Sequence, residues 1–389
     1  MHFSARTNWE TTETDLARAL RERKESGRPI YDLTASNPTH CGFTYDEAAI
    51  LSPLAAQEAL IYDPIPQGTL KAREAVSAYY RDRGATIDPA QIILTTSTSE
   101  AYSYLFRLLC DPGDEVLIAQ PSYPLFDFLA ALDDVKLTPY ALFYDHGWHL
   151  DIEAVRQRIT PRSRVIALVH PNNPTGHFTR ANERAQLETL CAEHNLALVI
   201  DEVFLDYAFD PKQGKSFAAG PHPALTFVLS GLSKIAALPQ MKAAWITALG
   251  PGEALHQSLA RLEIITDTFL SMNAPIQHAL PYWLEHRHAM QQQISKRTAK
   301  NLHFLDAALA GQSMITRLEV EAGWYAILRI PAIRPDEETA IDLIRKEGIS
   351  THPGYFFGFS GNGWLVVSLL TPENDFQTGL NALIRMYNG

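Results

Sequence analysis

From about residue 90 the chain alternates two patterns. Short apolar runs rich in β-branched residues are separated by longer stretches with apolar positions every three or four residues. The short runs predict strands at Gln91–Thr95, Glu115–Ala119, Lys136–Ala141, Arg164–Val169, Leu196–Ile200, Leu225–Leu229 and Ala243–Ala248. Between the first two, Ala101, Tyr104, Leu105, Leu108 and Leu109 share one face of a helix over Glu100–Cys110. The turn residues Asp111-Pro112-Gly113-Asp114 end it. Repeated units of this kind predict an α/β fold with a mostly parallel sheet covered by helices. Earlier, Leu16, Ala19, Leu20 and Arg23 predict a helix over Thr14–Lys24. The last third reads differently: a helical stretch from Pro281 to about Ala310, then strands at Trp324–Ile330 and Trp364–Leu369 with a helix near Glu337–Glu347 between them. The expected division is an N-terminal arm and helix at 1–45, a large domain at 46–280 and a smaller α+β domain at 281–389, with the arm packing on the small domain.

A length of 389 residues suits two domains, and 46% hydrophobic residues suffice for a sizeable core. A net charge of −11 argues against nucleic-acid binding, which needs a concentrated basic surface. Cys41, Cys110 and Cys191, odd in number and widely spaced, fit neither a disulfide framework nor a zinc site, and no metal is expected. No apolar run approaches membrane-span length and Met1-His2-Phe3-Ser4 does not open a signal peptide, so a cytoplasmic protein without membrane partners is expected.

In parallel α/β sheets, ligands bind beyond the carboxyl ends of the strands. Four polar groups stand there: Thr96-Ser97-Thr98-Ser99 before a helix, His170 to Gly176 with Asn172-Asn173-Pro174, Asp201-Glu202, and Ser230-Gly231-Leu232-Ser233-Lys234. A hydroxyl cluster at a helix N-terminus suits a phosphate, and equally a simple cap. An acid ending an apolar strand requires a cation or donor, whether from a ligand or from a structural ion pair. Alone, Lys234 reads as a surface lysine and Asn173-Pro174 as a turn. The ordered recurrence on several strand ends is what points to one shared site. His40, His170 and His352 lie near these segments and read as structural donors.

In that order, with Tyr62-Asp63-Pro64-Ile65-Pro66-Gln67-Gly68, Asp111 to Val116, Pro121-Ser122-Tyr123-Pro124, Asn172 to Gly176, Asp201-Glu202-Val203 and Ser233-Lys234, the chain resembles the class I/II aminotransferases, fold-type I enzymes of pyridoxal 5′-phosphate, from about Tyr31 onward. The resemblance implies that Lys234 carries the cofactor as a Schiff base and later moves the proton between Cα and C4′ of the cofactor. It implies that Asp201 keeps the pyridine nitrogen protonated, Asn173 donates to the phenolic O3′ and Tyr123 stacks on the ring. Thr98, Ser99, Ser233 and Ser230, with Lys242, would hold the phosphate. Tyr62 would reach the phosphate of the neighbouring subunit, which implies a homodimer with shared active sites. The substrates implied are a small amino donor and an oxo-acid acceptor, exchanged by a ping-pong scheme. A carbon–sulfur lyase or decarboxylase on the same fold is the alternative chemistry, and a non-catalytic cofactor-binding sensor the alternative class.

Three positions depart from the family pattern. Lys242 replaces an arginine, keeping the charge without the bidentate fork. Phe204 replaces a tyrosine that bonds O3′, which predicts a Schiff base that stays protonated to higher pH. In Trp364-Leu365-Val366-Val367-Ser368-Leu369, Val366 stands where an arginine would grip the substrate carboxylate; Arg329, Lys215 and Arg107 are the candidate replacements. Tyr355-Phe356-Phe357-Gly358-Phe359 is either an apolar wall of the site or ordinary packing.

Overall fold

The structure, a computed structural model, describes residues 1–270 and 272–388. Thr14 opens the first long helix, Asp15–Glu25, by accepting a hydrogen bond from the Ala17 N–H at 3.2 Å. Arg23 on this helix donates to the Arg345 carbonyl at 3.1 Å, and the following strand β1 (Tyr31–Asp32) pairs in parallel far along the chain, as described below. The N-terminal segment is thereby tied to C-terminal elements.

The large sheet contains β2 (Ile92–Thr95), β3 (Glu115–Gln120), β4 (Lys136–Tyr144), β5 (Trp148–Leu150), β6 (Ser163–Val169), β7 (Ala197–Asp201), β8 (Thr226–Gly231) and β9 (Ala244–Leu249), in the order β2-β9-β8-β7-β6-β3-β4-β5. The pairings from β8 through β7, β6 and β3 to β4 are parallel; β9 runs antiparallel to both β2 and β8, and β5 antiparallel to β4. Each of the seven expected strands is present, with no end shifted by more than three residues. Two reversals at β9 leave β2 running the same way as β6, β7 and β8, so all four polar groups meet at one edge of the sheet.

The sheet is buried on both faces, which is why its strands read as continuous apolar runs. On β7 and β8, Leu198, Ile200 and Val228 pack to one side, and Val199, Phe227 and Leu229 to the other. Each such side chain contributes about 1.5–3 kcal/mol by leaving water.

A second sheet has the order β10 (Thr316–Arg317), β11 (Tyr325–Arg329), β14 (Trp364–Ser368) and β13 (His352–Pro353), all antiparallel, and β12 (Ile349–Ser350) is the partner of β1. The helical stretch expected from Pro281 differs in detail. It consists of two helices, Ala274–Glu285 with Pro281 inside it and His288–Leu309, because the chain leaves helical geometry at His286. The helix near Glu337 is Asp336–Asp342 followed by a wider turn to Glu347.

Candidate active site

A cavity of about 230 Å³ opens at the sheet edge where the four polar groups converge. Its wall includes Ser97, Thr98 and Ser99 after β2, Tyr123 after β3, Asn173 after β6, Asp201 at the end of β7, and Gly231, Ser233 and Lys234 after β8. Ser36 from the N-terminal segment and Tyr325 of β11 close it from the side of the small sheet.

The hydroxyl cluster divides its labour. Ser97 is the cap of helix Thr98–Leu109, accepting from the Glu100 N–H at 3.1 Å, while Glu100 accepts from the Thr96 N–H at 2.6 Å. Of the two readings left open by the sequence, capping falls to Ser97. Thr98 and Ser99 line the cavity in the first turn, where unpaired N–H groups and the helix dipole favour an anion. Gly231 lets the strand reach the cavity beside β9: a Cβ there would lie 2.8 Å from the Ala244 Cβ and 2.9 Å from the Ala243 carbonyl oxygen.

Asp201 is buried, and burial pushes its carboxyl up to about 6. The Val203 N–H at 3.1 Å, the Lys234 ammonium and the nearby Tyr102 hydroxyl oppose that rise. Lys234 is enclosed by protein, and desolvation draws its ammonium down to about 8 against the attraction of Asp201. An amine near 8 is partly unprotonated at neutral pH, which a lysine needs in order to act as nucleophile or base. The Asn173 side chain is buried with its Oδ1 unpartnered. An unpaired buried amide oxygen costs about 1–3 kcal/mol unless something in the cavity meets it. Its neighbour Asn172, whose Oδ1 is likewise unpartnered, holds the loop by donating to the Pro121 carbonyl at 3.2 Å and to Thr175 at 2.9 Å. Gly176 serves the same loop at φ +69°, where a Cβ would strike the Ala322 carbonyl oxygen.

Three of the expected site residues lie elsewhere. Ser230 is fully buried within β8, and strand alternation turns its side chain to the face opposite Leu229 and Gly231, so it does not line the cavity. Lys242 is exposed in a left-handed conformation, φ 52°, two residues before Ala244, which does line the cavity. Tyr62 is exposed and borders a separate pocket with Ile61, Met272 and Asn273. The expected phosphate contact of Ser230 therefore lacks geometric support. Within a single chain, so do those of Lys242 and Tyr62.

The candidate cations are also engaged away from the cavity. Arg329 donates to the Asn362 carbonyl at 2.7 Å and lies 4.1 Å from the Trp364 ring; Arg107 pairs with Asp133 at 2.9 Å; Lys215 is exposed. Val366 is fully buried in the apolar core, paired with Ile327 and His352. Of the aromatic segment, Phe357 and Phe359 join the core, Tyr355 and Phe356 are exposed, and none of them is among the residues lining the cavity. His170 is structural: its ring meets the Lys215 carbonyl at 3.2 Å and accepts from the Thr179 N–H at 3.3 Å. Several residues bearing on the site were missed, among them Ser36, Tyr102, Tyr325 and Trp324, whose ring lies beside Lys234. No local pattern marks any of them.

The donor set suits a phosphorylated pyridine aldehyde. It offers an amine for the aldehyde, a buried acid and an anion-favouring helix start, all at one void. No group of three or more His, Cys, Asp or Glu residues suited to a metal ion occurs among the described residues. Nor is any described helix long and apolar enough to cross a membrane.

The chain is 23% identical to the glutamate-pyruvate aminotransferase AlaA of Escherichia coli (strain K12), over 95% of this chain and 94% of that protein. It is 26% identical to the aspartate/prephenate aminotransferase of Thermus thermophilus, over 95% and 94%. Its fold matches an alanine aminotransferase structure from Pyrococcus furiosus with a TM-score of 0.90 at 22% identity, covering both chains fully. The model of aminotransferase class I and II matches residues 30–383, and the chain belongs to that family of pyridoxal phosphate enzymes.

Proposed function

We propose that this aminotransferase moves an amino group between a small amino acid or amine with an apolar side chain and an oxo acid, in two half-reactions at the one cavity. The observation that carries this reading is the apolar part of the cavity wall. It is built from Leu125, Phe126, Leu129, Val203 and Phe204, and no arginine or histidine is among the described residues lining the cavity. A substrate carboxylate would meet the neutral hydroxyls of Ser36 and Tyr325 rather than a guanidinium. The names of the relatives point to glutamate, alanine and aspartate; an acidic side chain has no counter-charge here.

In this reading Lys234 binds the cofactor covalently, and Thr98, Ser99 and Ser233 hold its phosphate. When bound, the cofactor supplies an electron sink for the carbanion formed at the amino carbon. Asp201 keeps a proton on the pyridine nitrogen, Asn173 bonds the phenolic oxygen and Tyr123 covers a ring face. Lys234, when not joined to the cofactor, would be the base that moves the proton released at the substrate Cα. The cavity wall excludes water from that transfer.

A homodimer completes the site in this reading. Ile61, Tyr62, Leu70, Phe269 and Leu270 are exposed apolar side chains on neighbouring segments, a surface that a second copy covers. Sedimentation would give a dimer, and Tyr62→Ala would weaken cofactor retention in it.

The test is the absorbance spectrum of the purified holoenzyme against a panel of amino acids and amines. Apolar donors should bleach the visible band and acidic donors should not. Bleaching by glutamate or aspartate alone would overturn the apolar assignment while leaving the transferase intact.

A further inference from the structure

The Lys234 amine sits in an aromatic corner. Its Nζ lies 5.0 Å from the centre of the Trp324 ring and 5.7 Å from that of Phe204. The two rings meet edge to face, 5.3 Å apart at 80°, and Tyr207 adds a second edge contact to Trp324 at 5.1 Å. The Tyr207 hydroxyl donates to the Lys234 carbonyl, so the same cluster grips both ends of the residue.

The corner is built from both sheets. Phe204 follows β7 of the large sheet. Trp324 immediately precedes β11 of the small sheet and is fully buried, with its carbonyl accepting from the Leu369 N–H at 2.7 Å. Trp324 also keeps an unpartnered buried Nε1. Phenylalanine would avoid that cost, and the indole offers the larger and more negative face. The amine makes no hydrogen bond with the described residues.

We propose that Trp324 and Phe204 are positioning residues for Lys234, their ring faces holding its ammonium at the cavity wall whenever the lysine is not joined to the cofactor. This rests on the reading that Lys234 is the residue joined to the cofactor. A free ammonium without hydrogen-bond partners would otherwise swing to the nearest carbonyl or to Asp201, away from the substrate. The rings hold a cation without giving it a fixed donor–acceptor geometry, so the same side chain remains free to accept and release a proton.

The charged group bearing on Lys234 is Asp201 on β7. The titratable groups around it are Tyr207 after that strand, Tyr102 on helix Thr98–Leu109, and Tyr123 and Tyr325 on the cavity wall, all pushed upward by burial and neutral through the working range. Removing a ring therefore changes the stability of the ammonium without changing the charges near it.

The experiment uses cofactor-free full-length chain and follows the growth of the visible band after adding pyridoxal phosphate, across pH. The growth rate rises with the unprotonated fraction of Lys234. With Trp324→Leu the midpoint of that rise should fall by about one pH unit, because a desolvated cation–π contact is lost. Trp324→Phe, which restores a face, should recover at least half of the shift, and Phe204→Leu should shift in the same direction by less. A role in packing alone would change amplitude or cofactor retention and leave the midpoint in place. Unchanged midpoints in Trp324→Phe and Phe204→Leu, together with one in Trp324→Leu or its failure to fold, would overturn the proposal. Lys234→Ala separates the underlying reading: a band of normal growth in that variant would remove Lys234 from the cofactor and leave the rings nothing to position.

Discussion

Asp201 and Glu202 are adjacent, both buried, and both pushed up by burial, to about 6 and about 7. Their surroundings differ completely. Glu202 is satisfied by protein: Ser216 Oγ donates to it at 2.7 Å and the Phe217 N–H at 2.5 Å. Arg184 fastens the same segment through the carbonyls of Ser216, Phe217 and Ala219. Asp201 receives the Val203 N–H, has the Tyr102 hydroxyl nearby, and borders the same void as Lys234. Burial and a raised pKa thus describe a structural acid and a site acid equally well. Unused hydrogen-bonding capacity facing a cavity is what separates them.

Substitution should split the pair most strongly. Lys234→Ala should abolish the visible band, and Asp201→Ala should lower kcat by about 10²–10⁴-fold in steady-state assays, the scale of losing a group that fixes a reacting proton. Glu202→Ala should instead cost about 3 kcal/mol in urea unfolding, because the Ser216 hydroxyl and the Phe217 N–H lose their acceptor. Activity per bound cofactor should remain near that of the unsubstituted enzyme. If Glu202→Ala lost activity and kept stability, the distinction would collapse.

Titration sharpens the comparison. Each folded-state carboxyl holds its proton to a higher pH than in the unfolded chain, from 3.8 to about 6 for Asp201 and from 4.5 to about 7 for Glu202. The associated stability is full below the unfolded value and lost as pH rises through the folded one. Urea unfolding of the cofactor-free protein should therefore show stability falling over about pH 4–7. Glu202→Gln should remove the upper part of that slope. Cofactor binding should remove the lower part, since a protonated pyridine nitrogen favours the Asp201 carboxylate. The smallest effect lies at the helix start: Thr98→Ala or Ser99→Ala should weaken cofactor binding about fivefold by equilibrium dialysis, and Ser230→Ala should leave it unchanged.

Much of this was legible from the sequence. Short continuous apolar runs set between period-3.6 stretches located the strands, and with them the strand ends where Thr98, Asn173, Asp201 and Lys234 gather. These patterns are local, set by which side chains must leave water, and a linear chain records them directly. The convergence held even though β9 runs antiparallel, because β2 compensates for the reversal.

The remainder depended on packing. Ser230 and Ser233 are alike in a hydroxyl-rich run, but strand alternation and the short helix Leu232–Ile235 send one into the sheet and the other to the cavity. Trp324 reads as the start of an apolar strand, and only the docking of the small sheet on the large one sets its ring beside Lys234. The expected carboxylate anchor met the same limit: Arg329 was a reasonable candidate until Trp364 and the Asn362 carbonyl proved to occupy it. By itself the sequence determined the fold class, because apolar pattern selects elements, and it carried the ordered motifs by which the chain resembles its family and the groups that can do chemistry. The tertiary structure alone decided which of those groups share a void and which are already paired, because contacts between distant segments depend on how whole elements pack.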